Sequence, residues 1–166
     1  MAELELTRSK DDRRRYELDG VGSLRLQGWA SRSASAEAPG RSWQFGRRGF
    51  LRPVVEATDA AGGVAGTFKG SGIKRGGTLR WGDRGLQLRP ASVWRERYAL
   101  ADRDRELATF EGKGWGKRPV KVTVEDSAAV DPALLLFTAF VVRGLAEDAN
   151  SAAGGAAAAG AVAASS

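Results

Sequence analysis

Short runs of alternating apolar and polar residues occupy most of the chain, from about Tyr16 to Glu125. Residues 120–125 read VKVTVE and residues 86–89 read LQLR, and the alternation recurs in other segments. A period of two is typical of a β-strand with one buried face. Segments rich in glycine and aspartate separate the runs and predict hairpin connections. These predicted connections lie at 19–20, 59–63, 82–85 and 102–105.

The alternating runs and the turn segments between them together predict ten to twelve antiparallel strands. Eleven of them can be placed along the chain from the sequence. They lie roughly at 14–18, 22–28, 29–35, 42–47, 52–58, 63–69, 77–81, 85–89, 93–101, 105–111 and 119–125.

One segment near the C-terminus has a different pattern. Residues 132–143 read PALLLFTAFVVR, and on a helical wheel the large apolar side chains point in every direction. Asp131 is a suitable N-cap, Pro132 suits the first helical position, and Gly144 predicts a left-handed C-cap. About twelve residues rising 1.5 Å each give roughly 18 Å, against a bilayer core of about 30 Å. We therefore predict a buried helix over 132–145 and no transmembrane segment.

A helix that is apolar on every side must be surrounded by protein. A flat sheet covers only one side of it, whereas a closed barrel covers all sides and removes exposed strand edges. The predicted fold class is therefore mainly β, a β-barrel of about 10–12 antiparallel strands that encloses one hydrophobic C-terminal helix. Such a barrel lacks the empty lumen in which lipocalin-type carriers hold a ligand.

The chain divides into three predicted regions. Residues 1–13 are expected to be a flexible N-terminus, and residues 14–145 form the single barrel domain with its central helix at 132–145. Residues 146–166, rich in Ala, Gly and Ser, are expected to be a disordered tail, with a frayed helix in the Ala-rich part as the alternative.

Four short patterns resemble a known superfamily. They are W-x-F at 43–45, V-E-A-x-D at 55–59 followed by Gly62, G-x-L-x-x-G at 77–82, and D-P-x-L-L-L-F-x-A-F at 131–140. Their order over about 16–145 resembles the LURP-one-related proteins, the phospholipid scramblases and the tubby C-terminal domain. The resemblance implies a twelve-stranded, tubby C-terminal-like barrel around a hydrophobic C-terminal helix.

The same resemblance implies a function at phosphate-bearing surfaces. Tubby-type domains bind phosphoinositide head groups through surface Lys and Arg, and scramblases act at membranes with acylated cysteines. This chain has no cysteine, so it departs from the scramblase mode of attachment. No lipid-binding motif of the family matches residue by residue, so no site residue is carried over.

Composition argues against catalysis. The chain contains no Cys and no His, which removes thiolate and imidazole nucleophiles, bases and metal ligands. The carboxylates Glu56, Asp59, Asp102 and Glu111 could form an acid–base pair, but turns and outward strand positions explain them as well. There is no phosphate-binding P-loop and no complete dinucleotide fingerprint. We expect no enzymatic activity, no catalytic residue, no metal and no cofactor.

Charge gives the main functional signal. The chain has 26 Lys and Arg against 20 Asp and Glu, and residues 1–145 hold all 26 basic residues with 18 of the acidic ones. A basic surface favours anionic partners. The short runs at 13–15 and 47–48 are too small to bind a membrane alone and are interpreted as solvated faces.

Two glycine-rich basic connections are the best binding candidates. Glycine lets the backbone approach an anion closely, Lys and Arg supply charge, and a Trp between glycines suits a head-group boundary or a nucleic-acid base. The structural alternative for both connections is that the glycines form hairpin turns, the basic side chains are solvated and Trp115 packs at a barrel end. The anion-binding candidates are Lys69, Lys74, Arg75, Lys113, Trp115, Lys117 and Arg118.

These observations favour a non-enzymatic module that docks on anionic phosphate groups, such as phospholipid or phosphoinositide-like head groups. The alternative is a protein-interaction or scaffold domain with a protein partner and no lipid ligand. Nucleic-acid binding ranks third, because the sequence lacks the aromatic-rich strands of an RNA-reading sheet. The N-terminus has no apolar signal core, so we expect a cytoplasmic protein, peripheral at the membrane if it binds lipid.

Overall fold

Twelve β-strands and one helix follow one another along the chain. The computed structural model describes residues 1–28, 32–49, 54–71, 76–92, 96–112 and 120–165, with side chains as far as Asp148. The strands are β1 (Ala2–Arg8), β2 (Arg15–Leu18), β3 (Gly22–Gln27), β4 (Ser33–Ala38), β5 (Arg41–Arg48), β6 (Val54–Asp59), β7 (Val64–Gly70), β8 (Gly77–Trp81), β9 (Arg84–Ser92), β10 (Arg97–Asp102), β11 (Arg105–Glu111) and β12 (Val120–Val124). The helix is α1 (Pro132–Ser165).

The strands form a closed antiparallel barrel in which each strand pairs with the next one along the chain. Closure comes from β1, which pairs with β2 on one side and with β12 on the other. Leu6 pairs on both sides at this closure, because it lies opposite Leu18 in β2 and opposite Val120 in β12. The predicted mainly β fold, a closed barrel with one C-terminal helix, is confirmed.

The alternation in the sequence sorts side chains between the inside and the outside of the wall. In β12 the three valines are buried and Lys121 is exposed, and in β9 Leu86 and Leu88 are buried beside an exposed Gln87. Apolar side chains of the wall thus face the barrel axis, where they form one core with the helix.

The first part of α1 fills the centre of the barrel. All ten residues from Ala133 to Val142 are buried, which covers every face of nearly three helical turns. This segment contacts β4 and β11, which lie on nearly opposite sides of the ring. The Phe137 ring is 5.2 Å from that of Phe45 and 5.6 Å from that of Trp81, measured between centroids. The helix is therefore enclosed, as its all-round apolar sequence predicted.

Two polar side chains at the start of the helix, those of Asp131 and Thr138, are hydrogen-bonded. Thr138, the buried polar residue of the core, donates its hydroxyl to the carbonyl of Leu134 at 2.8 Å. Asp131 caps the helix, because its Oδ1 accepts the N–H of Leu134 at 2.8 Å. Its second oxygen accepts the indole N–H of Trp81 at 3.0 Å. The predicted N-cap is confirmed, and it also fixes the start of the helix to the wall.

Three predicted boundaries differ from the structure. Residues 2–8 form β1 instead of a flexible N-terminus. The two leucines of this segment face inward and its glutamates face outward, and its backbone pairs with β2 on one side and with β12 on the other. The strand predicted at 29–35 lies at 33–38, and residues 29–31 are outside the described part.

The third difference is the end of the helix. Gly144 does not form a left-handed C-cap, and α1 continues through it to Ser165, across the region predicted to be disordered. Alanine-rich sequence supports this continuation, since alanine has the highest helix propensity. The side chains after Asp148 are outside the described part.

Candidate anion-binding site

The up-and-down order of the strands sorts every connection to one of two ends of the barrel. Successive hairpins of such a barrel alternate between its ends, so every second connection starts and finishes at the same rim. One end is joined by connections 9–14, 28–32, 49–53, 71–76, 93–96 and 112–119. The other end is joined by connections 19–21, 39–40, 60–63, 82–83 and 103–104, and by 125–131, which leads into α1.

The two sets of connections have opposite charge. Those of the first end contain eleven Lys and Arg and three acidic residues in the sequence. Those of the second end contain six acidic residues and one basic residue, Arg103. We call them the basic end and the acidic end. Four of the eleven basic residues, Lys10, Arg13, Arg14 and Arg32, lie in the part of the chain that the structure describes. The difference in charge between the two sets of connections is therefore one of sequence, and the overall balance of +6 does not reveal it.

The helix runs from the acidic end to the basic end. At its start, the carbonyl of Ala129 accepts a hydrogen bond from the Arg84 guanidinium at 2.5 Å, beside the turn that joins β8 to β9. At the other end Asp148 forms an ion pair with Arg47, the penultimate residue of β5, at 3.1 Å. The partial positive charge of the helix N-terminus thus lies among acidic side chains, which stabilises the observed direction.

Three acidic side chains near the basic end are held in ion pairs, whereas Asp11 and Glu96 have no ion-pair partner among the described residues. Glu56 pairs with Arg48 at 3.3 Å, and Glu111 pairs with Arg97 at 3.0 Å. The Arg25 guanidinium donates to Asp12 at 2.8 Å, and this bond holds the pKa of the Asp12 carboxyl below its usual value. The Asp12 carboxyl therefore stays ionised at neutral pH and offsets the charge of its arginine.

Seven cations at this end have no ion-pair partner among the described residues. Six of them are exposed, and Arg8 is half-buried. We call this set the basic rim. It consists of Arg8, Lys10, Arg13, Arg14, Arg32, Lys69 and Lys121.

Lys69 is the predicted candidate that the structure describes. It is the second-last residue of β7, its side chain is exposed, and it lies opposite Val54 and Thr78 in the neighbouring strands. Lys74, Arg75, Lys113, Trp115, Lys117 and Arg118 lie outside the described residues. The strands that flank both predicted loops, β7–β8 and β11–β12, end at the basic end.

The sequence interpretation missed most of the basic rim. Arg13 and Arg14 were treated as a solvated face, and Arg8, Lys10 and Arg32 were not considered. The signal that could have identified them is strand parity, because counting hairpins assigns each connection to an end. The predicted strands already permit this count, because in an up-and-down barrel the strand at 14–18 begins at the same end at which the sixth strand, 63–69, finishes.

The barrel interior offers no site in the described part of the chain, since side chains of α1 and the wall fill it. Two depressions of about 530 and 560 Å³ lie on the outer surface near the acidic end. The first is lined by Glu5, Glu17 and Asp19, which would repel a phosphate. Among the described residues, no cluster of three or more acidic side chains is arranged to hold a metal ion.

Searches for relatives found none at a significant level. No family model matches the sequence, and neither a curated protein nor a solved structure is significantly similar to it. Within the described residues, no helix has both the length and the apolar character needed to cross a bilayer.

Proposed function

We propose that the protein is a non-enzymatic module that docks on anionic phosphate groups, namely phospholipid head groups, through the basic end of its barrel. The observation that carries the proposal is the separation of charge between the two ends. A net positive charge spread over the whole surface would attract anions weakly from any direction. Cations concentrated at one end favour one contact surface.

The local environment of the basic rim supports this function. Its exposed cations have no described ion-pair partner, so binding an anion does not require an existing ion pair to break. Each basic residue close to an anionic membrane contributes about 1 kcal/mol of binding free energy, and several such residues act together. The remaining candidates, Lys74, Arg75, Lys113, Lys117 and Arg118, would add to the same end if their side chains point outward.

The superfamily relation belongs to the same proposal. A twelve-stranded antiparallel barrel with a C-terminal helix in its centre is the architecture that the resemblance to tubby C-terminal-like proteins implies. We infer that the chain is a divergent member of this group. Tubby domains and scramblases act at lipid surfaces, and the charge of the basic end favours the same kind of partner. No residue of their binding sites is assigned to this chain.

The alternative of a protein-interaction domain has less support. Stable protein interfaces have an apolar centre, and exposed apolar patches mark them on free proteins. Among the described residues, the large apolar side chains that are exposed are Met1 and Val64. The described outer wall therefore presents charge and small side chains.

Co-sedimentation with lipid vesicles tests the proposal. Vesicles of phosphatidylcholine alone are compared with vesicles that also contain phosphatidylserine, at low and high salt. We expect binding to the acidic vesicles only, and weaker binding as salt shortens the Debye length from about 10 Å at 0.1 M to about 3 Å at 1 M. Equal binding to both vesicle types would contradict the proposal, and capture of a stoichiometric protein partner at high salt would favour the scaffold alternative.

Reversing the charge of Lys69 is expected to weaken binding to acidic vesicles. The substitution Lys69→Glu removes one positive charge and adds one negative charge, which at about 1 kcal/mol per charge lowers the partition coefficient about thirtyfold. Arg41→Glu is the matched control, because Arg41 is exposed, begins β5 at the acidic end, and undergoes the same change of charge. The control should bind like the wild type, and equal weakening by both variants would show that only net charge matters.

A further inference from the structure

Two arginines lie side by side at the basic end of the barrel. Arg32 directly precedes β4, Arg47 is the penultimate residue of β5, and the backbone N–H of Arg47 donates to the carbonyl of Arg32 at 3.2 Å. The adjacent pair, Ser33 with Gly46, puts Arg32 in register with Arg47. Residues in such a hydrogen-bonded antiparallel pair have Cα atoms about 5.5 Å apart and side chains on the same face. The two guanidinium groups therefore belong to one face of the wall.

That face is the inner one, which surrounds α1. Inward and outward residues alternate along both strands, and Ala34 and Phe45, each two residues from one of the arginines, are buried in the core. Val55, which lies opposite Arg47 in β6, also packs against the core. The two arginines therefore continue the inner face of the barrel at the end where α1 leaves it.

One carboxylate is paired with these two cations in the part of the chain that the structure describes. Asp148 of α1 forms an ion pair with Arg47 at 3.1 Å, whereas Arg32 is exposed and has no described ion-pair partner. Like charges directly opposite each other in a sheet are destabilising. The side chains of Arg47 and Asp148 are 31% and 54% exposed, so an anion from solvent can reach their ion pair.

A phosphate group suits this pair of arginines better than one carboxylate does. Each guanidinium presents its N–H donors in a planar fork that matches the oxygens of a phosphate. A phosphate monoester carries nearly two negative charges near neutral pH and three acceptor oxygens, so it can serve two adjacent arginines. The carboxylate of Asp148 has one charge and is bonded to Arg47. It therefore acts as an internal anion that a phosphate can replace.

The geometry points to a phosphate-binding site between Arg32 and Arg47, in which the bound phosphate replaces the carboxylate of Asp148. This inference rests on the proposed function and adds to it the residues that hold one phosphate group. Replacement of Asp148 releases α1 from β5 at this point, just before helix residues 149–165. Phosphate binding is thereby coupled to the attachment of α1 at the end of the barrel.

Titration of the full-length protein with glycerol 3-phosphate, followed by NMR, tests the site. Arg32→Gln and Arg47→Gln should each weaken binding on the order of tenfold or more, because each removes a hydrogen bond between two charged groups. Asp148→Asn should strengthen binding by up to about fivefold, because it removes the competing carboxylate of a partly exposed ion pair.

Asp102→Asn is the matched control for Asp148→Asn. Asp102 is also a partly exposed carboxylate in an ion pair with an arginine, Arg84, at 3.8 Å, and it lies at the acidic end. The substitution makes the same change of net charge and should leave the affinity for glycerol 3-phosphate unchanged. Equal strengthening by both variants would show that net charge alone decides binding, and would overturn the site.

Two further measurements separate a built site from general attraction. Arg47→Lys keeps the charge but lacks the planar fork, so it should bind glycerol 3-phosphate several-fold more weakly than the wild type does. In the wild type, glycerol 3-phosphate should shift the NMR signal of the side-chain carboxyl carbon of Asp148 and leave that of Asp102 in place. The second measurement needs no substitution, so it holds even if an arginine variant fails to fold.

Vesicles distinguish a lipid head group from a small soluble phosphate ester as the source of the phosphate. The vesicles contain phosphatidic acid in phosphatidylcholine, and the variant is Arg47→Lys, which keeps the net charge. If the site holds a lipid phosphate, this variant should bind the vesicles more weakly than the wild type, and glycerol 3-phosphate should displace the wild type from them. Vesicle binding that neither change affects would assign the site to a soluble phosphate ester.

The outcomes separate the site from the proposed function. The site would be overturned if the wild type did not bind glycerol 3-phosphate, if either glutamine variant bound it like the wild type, or if the carboxyl signal of Asp148 did not shift. Each of these results would leave docking on acidic vesicles intact. Binding of glycerol 3-phosphate with the expected effects, but none of the wild type to acidic vesicles, would support the site and contradict the proposed function.

Discussion

A chain that ends at Val130, and so lacks α1, is expected not to fold. The ten buried residues from Ala133 to Val142 fill the barrel, and each large apolar side chain among them contributes about 1.5–3 kcal/mol on burial. Their sum is comparable with the whole stability of a domain, about 5–15 kcal/mol. Without the helix the wall would enclose an empty apolar space, and circular dichroism should show no cooperative thermal transition.

The matched control is a chain that ends at Asp148. It keeps each helix residue that is buried among the described side chains, including Ala146, together with the Arg47–Asp148 ion pair. It should melt cooperatively and within a few degrees of the full chain. A folded, cooperatively melting protein that ends at Val130 would show that the barrel does not need its helix.

Phe137→Ala is expected to destabilise the protein by about 3–5 kcal/mol. Phe137 is completely buried, and its ring contacts those of Phe45 and Trp81 on different strands, so truncation leaves a cavity that closed walls cannot fill. Phe137→Leu keeps most of the volume and should cost less than the alanine variant. Urea unfolding followed by tryptophan fluorescence measures both.

Val64→Ala serves as the control for this variant. Val64 is 61% exposed at the start of β7, so its truncation should change the free energy of unfolding by less than about 0.5 kcal/mol. If Phe137→Ala and Val64→Ala changed the urea midpoint equally, Phe137 could not lie in the centre of the core.

Much of the architecture could be predicted from the sequence because it depends on local periodicity. Strand and helix periodicity are visible within a few residues of sequence. Examples are the alternation in β12 and β9 and the all-round apolar surface of 134–142. The turns at 19–21, 60–63, 82–83 and 103–104 followed in the same way from glycine and aspartate.

Other features depended on tertiary contacts. The strand β1 has the expected alternation, with Leu4 and Leu6 facing inward, but its many charges resemble a solvated terminus until its two partner strands are known. The helix continues through Gly144 because packing and the helix propensity of the alanines outweigh the effect of one glycine. That effect is a loss of about 1 kcal/mol of helix stability relative to alanine.

The candidate site was predictable only in part. Residue type and glycine content identified Lys69, but no local pattern shows that Lys69 and Arg13 belong to the same end of the barrel. That relation arises from the number of antiparallel strands between them, β2 to β7. A charge polarity along the axis is therefore a property of the topology, and total charge alone could not reveal it.

Amide hydrogen exchange measured by NMR tests most directly whether α1 is enclosed by a closed barrel. The amides of Leu134 to Val142 should exchange as slowly as that of Ala108 in the middle of β11, through global unfolding alone, because no smaller opening of the wall exposes them. Exchange of these helix amides that is much faster than that of Ala108 would contradict the account, since it would place the helix on an open surface.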